Sequence, residues 1–227
     1  MSAVSQNQIM PRLGEGVFII KDVARILRLD YDKVRRWILG YWDHALKEDC
    51  NYTFGDKGSK AINFLSLIEF YTFFKLREKG VSAAQIHNLH EELSRKLDTI
   101  YPFAIGKDFF VENRKRKKLV FVDFAGALWK NDKKEQLHFR FLEAFLEKVE
   151  FNEDNLATRF FPLGKERNVV VDPKHQFGQP TISGTNIRTQ TIFNLHRGGE
   201  TTENISTLYD IPVDQVRDAI AFHQSAA

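Results

Sequence analysis

The stretch KDVARILRLDYDKVRRWILG, residues 21–40, decides the front half of the fold. Its apolar residues recur at helical spacing in two groups, which are separated by Leu29 and Asp30. The first group is Val23, Ala24, Ile26 and Leu27, and the second is Val34, Trp37 and Ile38. Asp30 is placed to cap the second helix, because its carboxylate can accept from the free amides of the first turn. The pattern therefore predicts two short helices joined by a tight turn, a helix-turn-helix.

The residues that follow predict the elements around this pair. Residues 51–61, NYTFGDKGSKA, hold two glycines and several polar turn formers, and they predict a small hairpin or wing. Asn63 is placed to cap a long apolar helix, and Gly80 stands where a glycine commonly follows the end of a helix. The sequence SAAQ, residues 82–85, is a capping box that opens another helix. Together these elements predict a winged helix-turn-helix in the front of the chain.

The middle of the chain has a mixed pattern. Residues 109–124, FFVENRKRKKLVFVDF, hold two apolar runs around a basic turn and predict a β-hairpin. Residues 137–151, LHFRFLEAFLEKVEF, have the spacing of an amphipathic helix. The runs ATRFFPL (157–163) and NVVVDP (168–173) predict strands.

The back of the chain turns helical again. Helix starts are predicted at Thr189, at Thr201 or Thr202, and at Pro212. In the second of these helices we expect Ile205 and Leu208 to face inward. The last helix is expected to carry outward the polar residues Asp214, Gln215, Arg217 and Asp218.

The fold class that we predict is therefore α+β. It combines an N-terminal winged helix-turn-helix, a central small mixed α/β region with a β-hairpin, and a C-terminal three-helix unit that resembles a helix-turn-helix. The expected organisation is a flexible N-terminus in residues 1–15, the winged helix-turn-helix domain in 16–104, the central region in 105–167 and the C-terminal helical domain in 168–227.

The composition excludes several classes of protein. Hydrophobic residues make up 43% and charged residues 28% of the 227 residues, so the chain can form a packed core and is not expected to be disordered. Cys50 is the only cysteine, which excludes an intrachain disulfide and a thiolate metal cluster. Because the sequence has no signal-peptide pattern and no apolar run of membrane-spanning length, we expect a cytoplasmic protein.

The basic front of the chain contains a candidate DNA-binding surface. Residues 1–134 carry 24 basic and 17 acidic side chains, whereas residues 135–227 carry 9 and 13. Donors near the start of the second predicted helix can reach bases and phosphates in a major groove, and lysines of the wing can hold flanking phosphates. The candidate DNA contacts are Tyr31, Lys33, Arg35, Arg36, Lys57 and Lys60. The alternative is that they form the charged outer face of an ordinary amphipathic helix and its neighbour.

Residues 17–97 resemble the MerR-type winged helix-turn-helix family. The resemblance rests on KDVARILRLDYDKVRRW, on residues 34–37, where the family has a Leu-Arg-aromatic-aromatic motif, and on LSLIEFYTFFKLREKGVSAAQI. It implies that Arg35 contacts DNA. Lys60 and Ile62 replace a wing arginine and a tyrosine of the family. The family's long dimerisation coiled coil is missing, so its effector-driven distortion of DNA is not carried over.

Residues 169–223 resemble the domain-of-unknown-function family 433, which is found in antitoxins of bacterial toxin–antitoxin pairs. The matching residues are Asp172, Pro173, Gly178, Pro180, Ile182, Gly184, Thr185, Gly198, Ile205, Tyr209 and Val216. The chain departs from the family at Gln179, where a Lys or Arg is usual, and at Asn186, where an Arg is usual. A DNA-binding front joined to this tail resembles long VapB-type antitoxins, whose partners are PIN-domain ribonucleases of the VapC type.

That resemblance implies a second binding surface, for a toxin. Residues 114–118 are five cations in a row at a predicted hairpin tip, and they can form a phosphate clamp, a contact for the acidic metal site of a PIN ribonuclease, or a solvated turn. The mixed outer face of the last helix suits a protein partner better than phosphates. The candidate toxin contacts are Arg114, Lys115, Arg116, Lys117, Lys118, Asp214, Arg217 and Asp218.

The sequence thus predicts an antitoxin that binds operator DNA and neutralises a PIN-domain toxin. A homodimer is expected, because operator half-sites usually mirror a two-fold protein. We expect no cofactor, no metal and no enzymatic activity, since no phosphate-binding loop or nucleophile motif occurs, and we interpret His87 and His90 as part of a polar helix face. The alternative is a stand-alone MerR-like transcriptional regulator whose central region senses a ligand.

Overall fold

A computed structural model describes residues 12–40, 52–56, 59–105 and 148–224. Over these residues the chain forms seven α-helices, namely α1 (Ile20–Leu27), α2 (Tyr31–Gly40), α3 (Phe64–Glu78), α4 (Ala83–Leu97), α5 (Thr189–Arg197), α6 (Thr202–Tyr209) and α7 (Val213–Gln224). It also forms seven short strands, namely β1 (Phe18–Ile19), β2 (Thr53–Phe54), β3 (Ala61–Ile62), β4 (Val149–Phe151), β5 (Ala157–Phe160), β6 (Val169–Val170) and β7 (Thr181–Ile182). The mixture confirms the predicted α+β class. The hairpin predicted in residues 109–124 lies outside the described residues.

Side-chain caps determine where several helices begin, as the sequence predicts. The carboxylate of Asp30 accepts from the backbone N–H three residues on, at 2.8 Å, where α2 begins. The side chain of Asn63 makes the same bond at the start of α3, also at 2.8 Å. Ser82 and Gln85 form a reciprocal capping box at the start of α4. Of the two threonines considered for α6, Thr201 is the cap.

The front helices pack on a small antiparallel sheet. Its strand order is β1-β3-β2, so the central strand pairs Ile62 with Phe18 on one side and with Thr53 on the other. The pairing of β2 with β3 confirms a hairpin in residues 51–61 over the part that is described. Helix α1 buries Val23 and Ile26 with their neighbours, and α2 buries Val34, so the predicted apolar stripes both face the core.

In the back half, the expectations for residues 137–151 and for Leu208 were wrong. The end of the amphipathic helix predicted in residues 137–151 is the strand β4, because Val149 pairs with Phe160 and both side chains are buried. Leu208 was expected to face inward but is 68% exposed. Helix α6 is short and is covered on the side of Ile205, and Tyr209, four residues on, packs against that core instead.

Two apolar clusters hold the described residues together. The larger cluster joins the front helices to β4, β5 and β6, and it includes both Phe18 and Phe222. The smaller cluster lies among α5, α6, α7 and β7, around Ile192, Ile205 and Val216. None of the described helices is both long enough and apolar enough to span a bilayer.

The ring of Phe18 is enclosed where the front meets the back. Phe18 is fully buried, and the N–H of the preceding Val17 donates to the carbonyl of Phe177 at 3.0 Å. Gly178 has a φ of +84°, and a Cβ at this position would lie 2.4 Å from Cζ of Phe18. Gly16 also lies close to the ring, since its Cβ would be 2.8 Å from Cε2. Glycine is therefore required at both positions for a steric reason.

We expect Gly178→Ala to lower the free energy of unfolding by about 3 kcal/mol or more. The added methyl group would meet a fully enclosed ring, and alanine is disfavoured at this positive φ. The matched control is Gly164→Ala, because Gly164 has a φ of +94° but open space around it, so only the backbone cost of about 1 kcal/mol applies. Equilibrium denaturation of the two variants measures the difference, and equal losses would contradict the steric explanation.

Candidate nucleic-acid interface

The predicted DNA-facing residues of α2 lie together on its solvent side. Tyr31, Lys33, Arg35 and Arg36 are all exposed, whereas Val34 and Ile38 on the opposite side are buried. Residues 28–30 connect α1 to α2, and the cap at Asp30 determines where the exposed row begins. The orientation expected from the sequence is confirmed. What these side chains contact remains a prediction.

The lysines on either side of this row differ in their surroundings. The ammonium of Lys33 lies 5.0 Å from the ring centre of Phe74, so this side chain also contacts the aromatic core from outside. The ammonium of Lys60 donates to the hydroxyl of Thr53 at 2.7 Å across the hairpin, which holds it close to the sheet. Lys57 lies outside the described residues. The structure thus brings Lys60 to the same side of the molecule as the start of α2, since Tyr31 and Lys60 border one cleft.

The structure describes only some of the candidate toxin contacts, and these differ in exposure. Arg114, Lys115, Arg116, Lys117 and Lys118 lie outside the described residues. On α7, Asp214 and Arg217 are exposed and face each other at 3.4 Å, as a surface ion pair. Asp218 is different. It was expected to face outward, and that expectation was wrong.

Asp218 is 7% exposed and binds the loop that precedes β6. Its carboxylate accepts from Nε of Arg167 at 2.6 Å, and from the backbone N–H and the side-chain amide of Asn168 at 2.9 Å each. These three donors satisfy a charge that would otherwise be costly to bury. Helical periodicity places Asp218 beside Arg217, but only the tertiary structure shows that a loop covers this side of α7.

A polar network joins α1 to the back of the chain. The guanidinium of Arg25 donates to the carboxylate of Asp22 at 2.8 Å and to the side-chain oxygen of Gln190 at 2.7 Å. Gln179 bridges the same pair, because its oxygen accepts from Arg25 at 3.4 Å and its amide donates to Asp22 at 3.2 Å. A lysine or arginine, which the family 433 pattern has at this position, can donate to Asp22 but cannot accept from Arg25. The departure at Gln179 therefore fits the contact with α1.

A buried acid–base pair lies beneath the front helices, and the sequence reasoning missed it. Glu69 is fully buried, and its Oε1 accepts from the backbone N–H groups of Phe103 at 2.7 Å and Ala104 at 3.0 Å. Its Oε2 lies 3.1 Å from Nε2 of His90. Burial raises the pKa of Glu69, although His90 and the two N–H groups oppose this. His90 is therefore a core residue, which corrects the interpretation of a polar helix face.

No group of three or more histidine, cysteine or acidic side chains that could hold a metal ion occurs in the part of the chain that the structure describes. His87, the other histidine of α4, lies 3.6 Å from Glu91 at the surface. Its neighbour His90 points away from it, into the core. The two histidines therefore do not form a common site.

We expect Asp218→Ala to lower the free energy of unfolding by about 2 kcal/mol. The substitution leaves the N–H and the amide of Asn168 without their acceptor, while the half-exposed Arg167 can turn to water. Asp214→Ala removes the same group from the same helix at an exposed position, and a loss below about 0.5 kcal/mol is expected there. Urea denaturation compares the two, and a similar small effect for both would mean that Asp218 is not anchored.

Comparison with known proteins agrees with the predicted resemblance of the back of the chain to family 433. Residues 169–223 match the model of a family described as "Protein of unknown function (DUF433)". Over 80 residues the chain is 34% identical to a Mycobacterium tuberculosis protein named "Putative antitoxin VapB45". That match covers 35% of this chain and 34% of the relative, so the chain spans about a third of the length of the curated protein it matches.

A solved structure resembles most of the chain in its fold. It is the X-ray crystal structure of Rv2018 from Mycobacterium tuberculosis, with a TM-score of 0.67 over 89% of this chain and 96% of that chain. The sequence identity is 21%, so the likeness concerns the fold alone. The predicted resemblance to family 433 is thus confirmed for residues 169–223, and the chain resembles a VapB-type antitoxin.

Proposed function

We propose that this protein is the antitoxin of a type II toxin–antitoxin pair. It binds and neutralises a PIN-domain ribonuclease of the VapC type, and it represses its own operon by binding operator DNA. The observation that carries this proposal is the match of residues 169–223 to family 433, together with the similarity to the protein named as an antitoxin. The chemistry belongs to the toxin, and the antitoxin acts in the cytoplasm without a cofactor.

DNA binding is assigned to the front of the chain as a winged helix-turn-helix. The support is the exposed row of Tyr31, Lys33, Arg35 and Arg36 on α2, which begins at a capped helix end and follows a three-residue turn. Side chains at such a position reach base edges and phosphates when the helix enters a major groove. The hairpin of β2 and β3 is the wing. Since operators commonly have two-fold symmetry, the DNA-bound form is a homodimer.

Toxin binding is assigned to residues 114–118 and to the exposed face of α7. The basic segment complements a PIN active site, which is a cluster of carboxylates that holds metal ions. On α7 the available polar groups are Asp214 and Arg217. Asp218 is not part of this surface, because its carboxylate is buried and holds three donors.

Replacing both arginines of the row, Arg35→Ala with Arg36→Ala, tests DNA binding. We expect weaker binding to a duplex that covers the region upstream of the gene, and a salt dependence reduced by about 1 for each lost phosphate contact. The control replaces two exposed cations elsewhere, Lys79→Ala with Arg95→Ala, and so removes the same charge. The affinity of each variant is measured across a range of salt concentrations. If both variants bind DNA as tightly as the wild-type chain, with the same salt dependence, the assignment of DNA binding to this row is excluded.

Co-expression tests the antitoxin activity. The open reading frame beside this gene is expressed in a bacterial host alone and together with the full chain, and growth and co-purification are followed. We expect growth arrest from the neighbour alone, rescue by the full chain, and a stable complex. Absence of both arrest and complex would contradict the antitoxin role and would leave a stand-alone regulator.

A further inference from the structure

A cleft of about 1170 Å³ opens between α1, the start of α2, the β2–β3 hairpin and the two back helices α5 and α7. Tyr31 and Lys60, both predicted DNA contacts, lie at its border. Gln190 and His223 form its back wall, so residues of the family 433 segment contribute to a surface that the front of the chain was expected to form alone.

The lining of this cleft is strongly cationic. Lys21, Arg25, Arg28 and Lys60 all line it, and the one acid among the described lining residues is Asp30, whose carboxylate already accepts from the backbone of α2. Arg25 is held by its network with α5 and Lys60 by Thr53. His223 adds no charge at neutral pH, because burial and then the nearby Arg25 lower its pKa to about 4. Arg25 is also paired with the carboxylate of Asp22 at 2.8 Å, so the positive charge of the cleft that no acid neutralises lies chiefly on Lys21 and Arg28.

Among the residues that the structure describes, two of these cations have no side-chain partner. Across the described ranges, neither Lys21 nor Arg28 makes a side-chain hydrogen bond or ion pair, and both are exposed. Arg28 also stands at a left-handed position, with a φ of 56°, where it ends α1. Partial desolvation and the positive charge of Arg167 lower the pKa of Arg28, so a second cation lies within its electrostatic reach. An anion placed beside Arg28 would relieve this repulsion.

We infer that the cleft binds a phosphate group, that Lys21 and Arg28 are its contacts, and that the phosphate belongs to the DNA backbone. The inference rests on the proposed DNA binding and extends it. A free phosphate has the same chemistry, but two features favour the backbone: the cleft borders the exposed row of α2, and its cations lie along α1 and the hairpin rather than around one point. A DNA strand requires such an extended arrangement of cations, since its phosphates follow one another along the duplex.

The full chain with Lys21→Ala and Arg28→Gly tests the inference. Glycine suits the left-handed backbone at position 28, so this variant removes the guanidinium without adding strain. We expect binding to weaken roughly 10- to 60-fold at about 0.1 M salt, and the salt dependence to fall by about 2. The loss should be equal for the upstream duplex and for a random-sequence duplex, because phosphates carry no sequence information. The control is again Lys79→Ala with Arg95→Ala.

The outcomes separate this inference from the proposed function. If the cleft variant binds like the control while the Arg35→Ala, Arg36→Ala variant is weakened, the cleft is not a phosphate site and the DNA-binding role stands. If the wild-type chain binds neither duplex, the DNA-binding role fails. Pyrophosphate is then titrated into the wild-type chain and into the cleft variant, and binding is measured by calorimetry. Pyrophosphate binding that is lost in the cleft variant would keep the cleft as a phosphate site but overturn its assignment to the DNA backbone. No pyrophosphate binding by the wild-type chain would overturn the inference as a whole.

Discussion

The enclosure of the Phe18 ring couples the front of the chain to the segment around Gly178. The ring lies between Gly16 and Gly178, and any side chain at either glycine would enter the space that the ring occupies. Burying a phenylalanine fully contributes about 3 kcal/mol, but only if no gap and no overlap remain around it. Strand β1, which carries the ring, also leads directly into α1. The position of the front helices therefore depends on the left-handed turn at Gly178, more than 150 residues away in the sequence.

Local sequence signals predicted most of the secondary structure correctly. Asp30, Asn63 and Ser82 each cap the helix that the sequence assigned to them, because a capping bond needs only the residue and the three that follow. The exposure of the basic row on α2 also followed from helical periodicity. Val34 and Ile38, which are four residues apart, lie on the buried side, so the polar residues between and before them lie on the other side. For the same reason the core faces of α1 and α2 could be assigned without knowledge of any tertiary contact.

Failures occurred where a distant segment decides the environment. Asp218 has the spacing of a surface residue, yet the loop at Asn168 covers it and supplies its donors. Glu69 lies in the long apolar helix predicted after Asn63, but nothing local indicates that it binds the backbone of Phe103 and faces His90. The cleft was missed for a related reason. Its wall comes from α5 and α7, and no pattern within residues 21–40 indicates that these helices lie beside Arg25.

The shared core has a consequence for the order in which the protein can mature. Phe18 is synthesised about 200 residues before Phe222, yet both belong to one apolar cluster. At synthesis rates of about 5–20 residues per second, on the order of 10–40 seconds separate the two on the ribosome. During that interval the face that β6 and α7 will cover stays open to water. The helix that we assign to DNA thus reaches its final setting only after the segment that we assign to the toxin has been made, which couples the two activities in time.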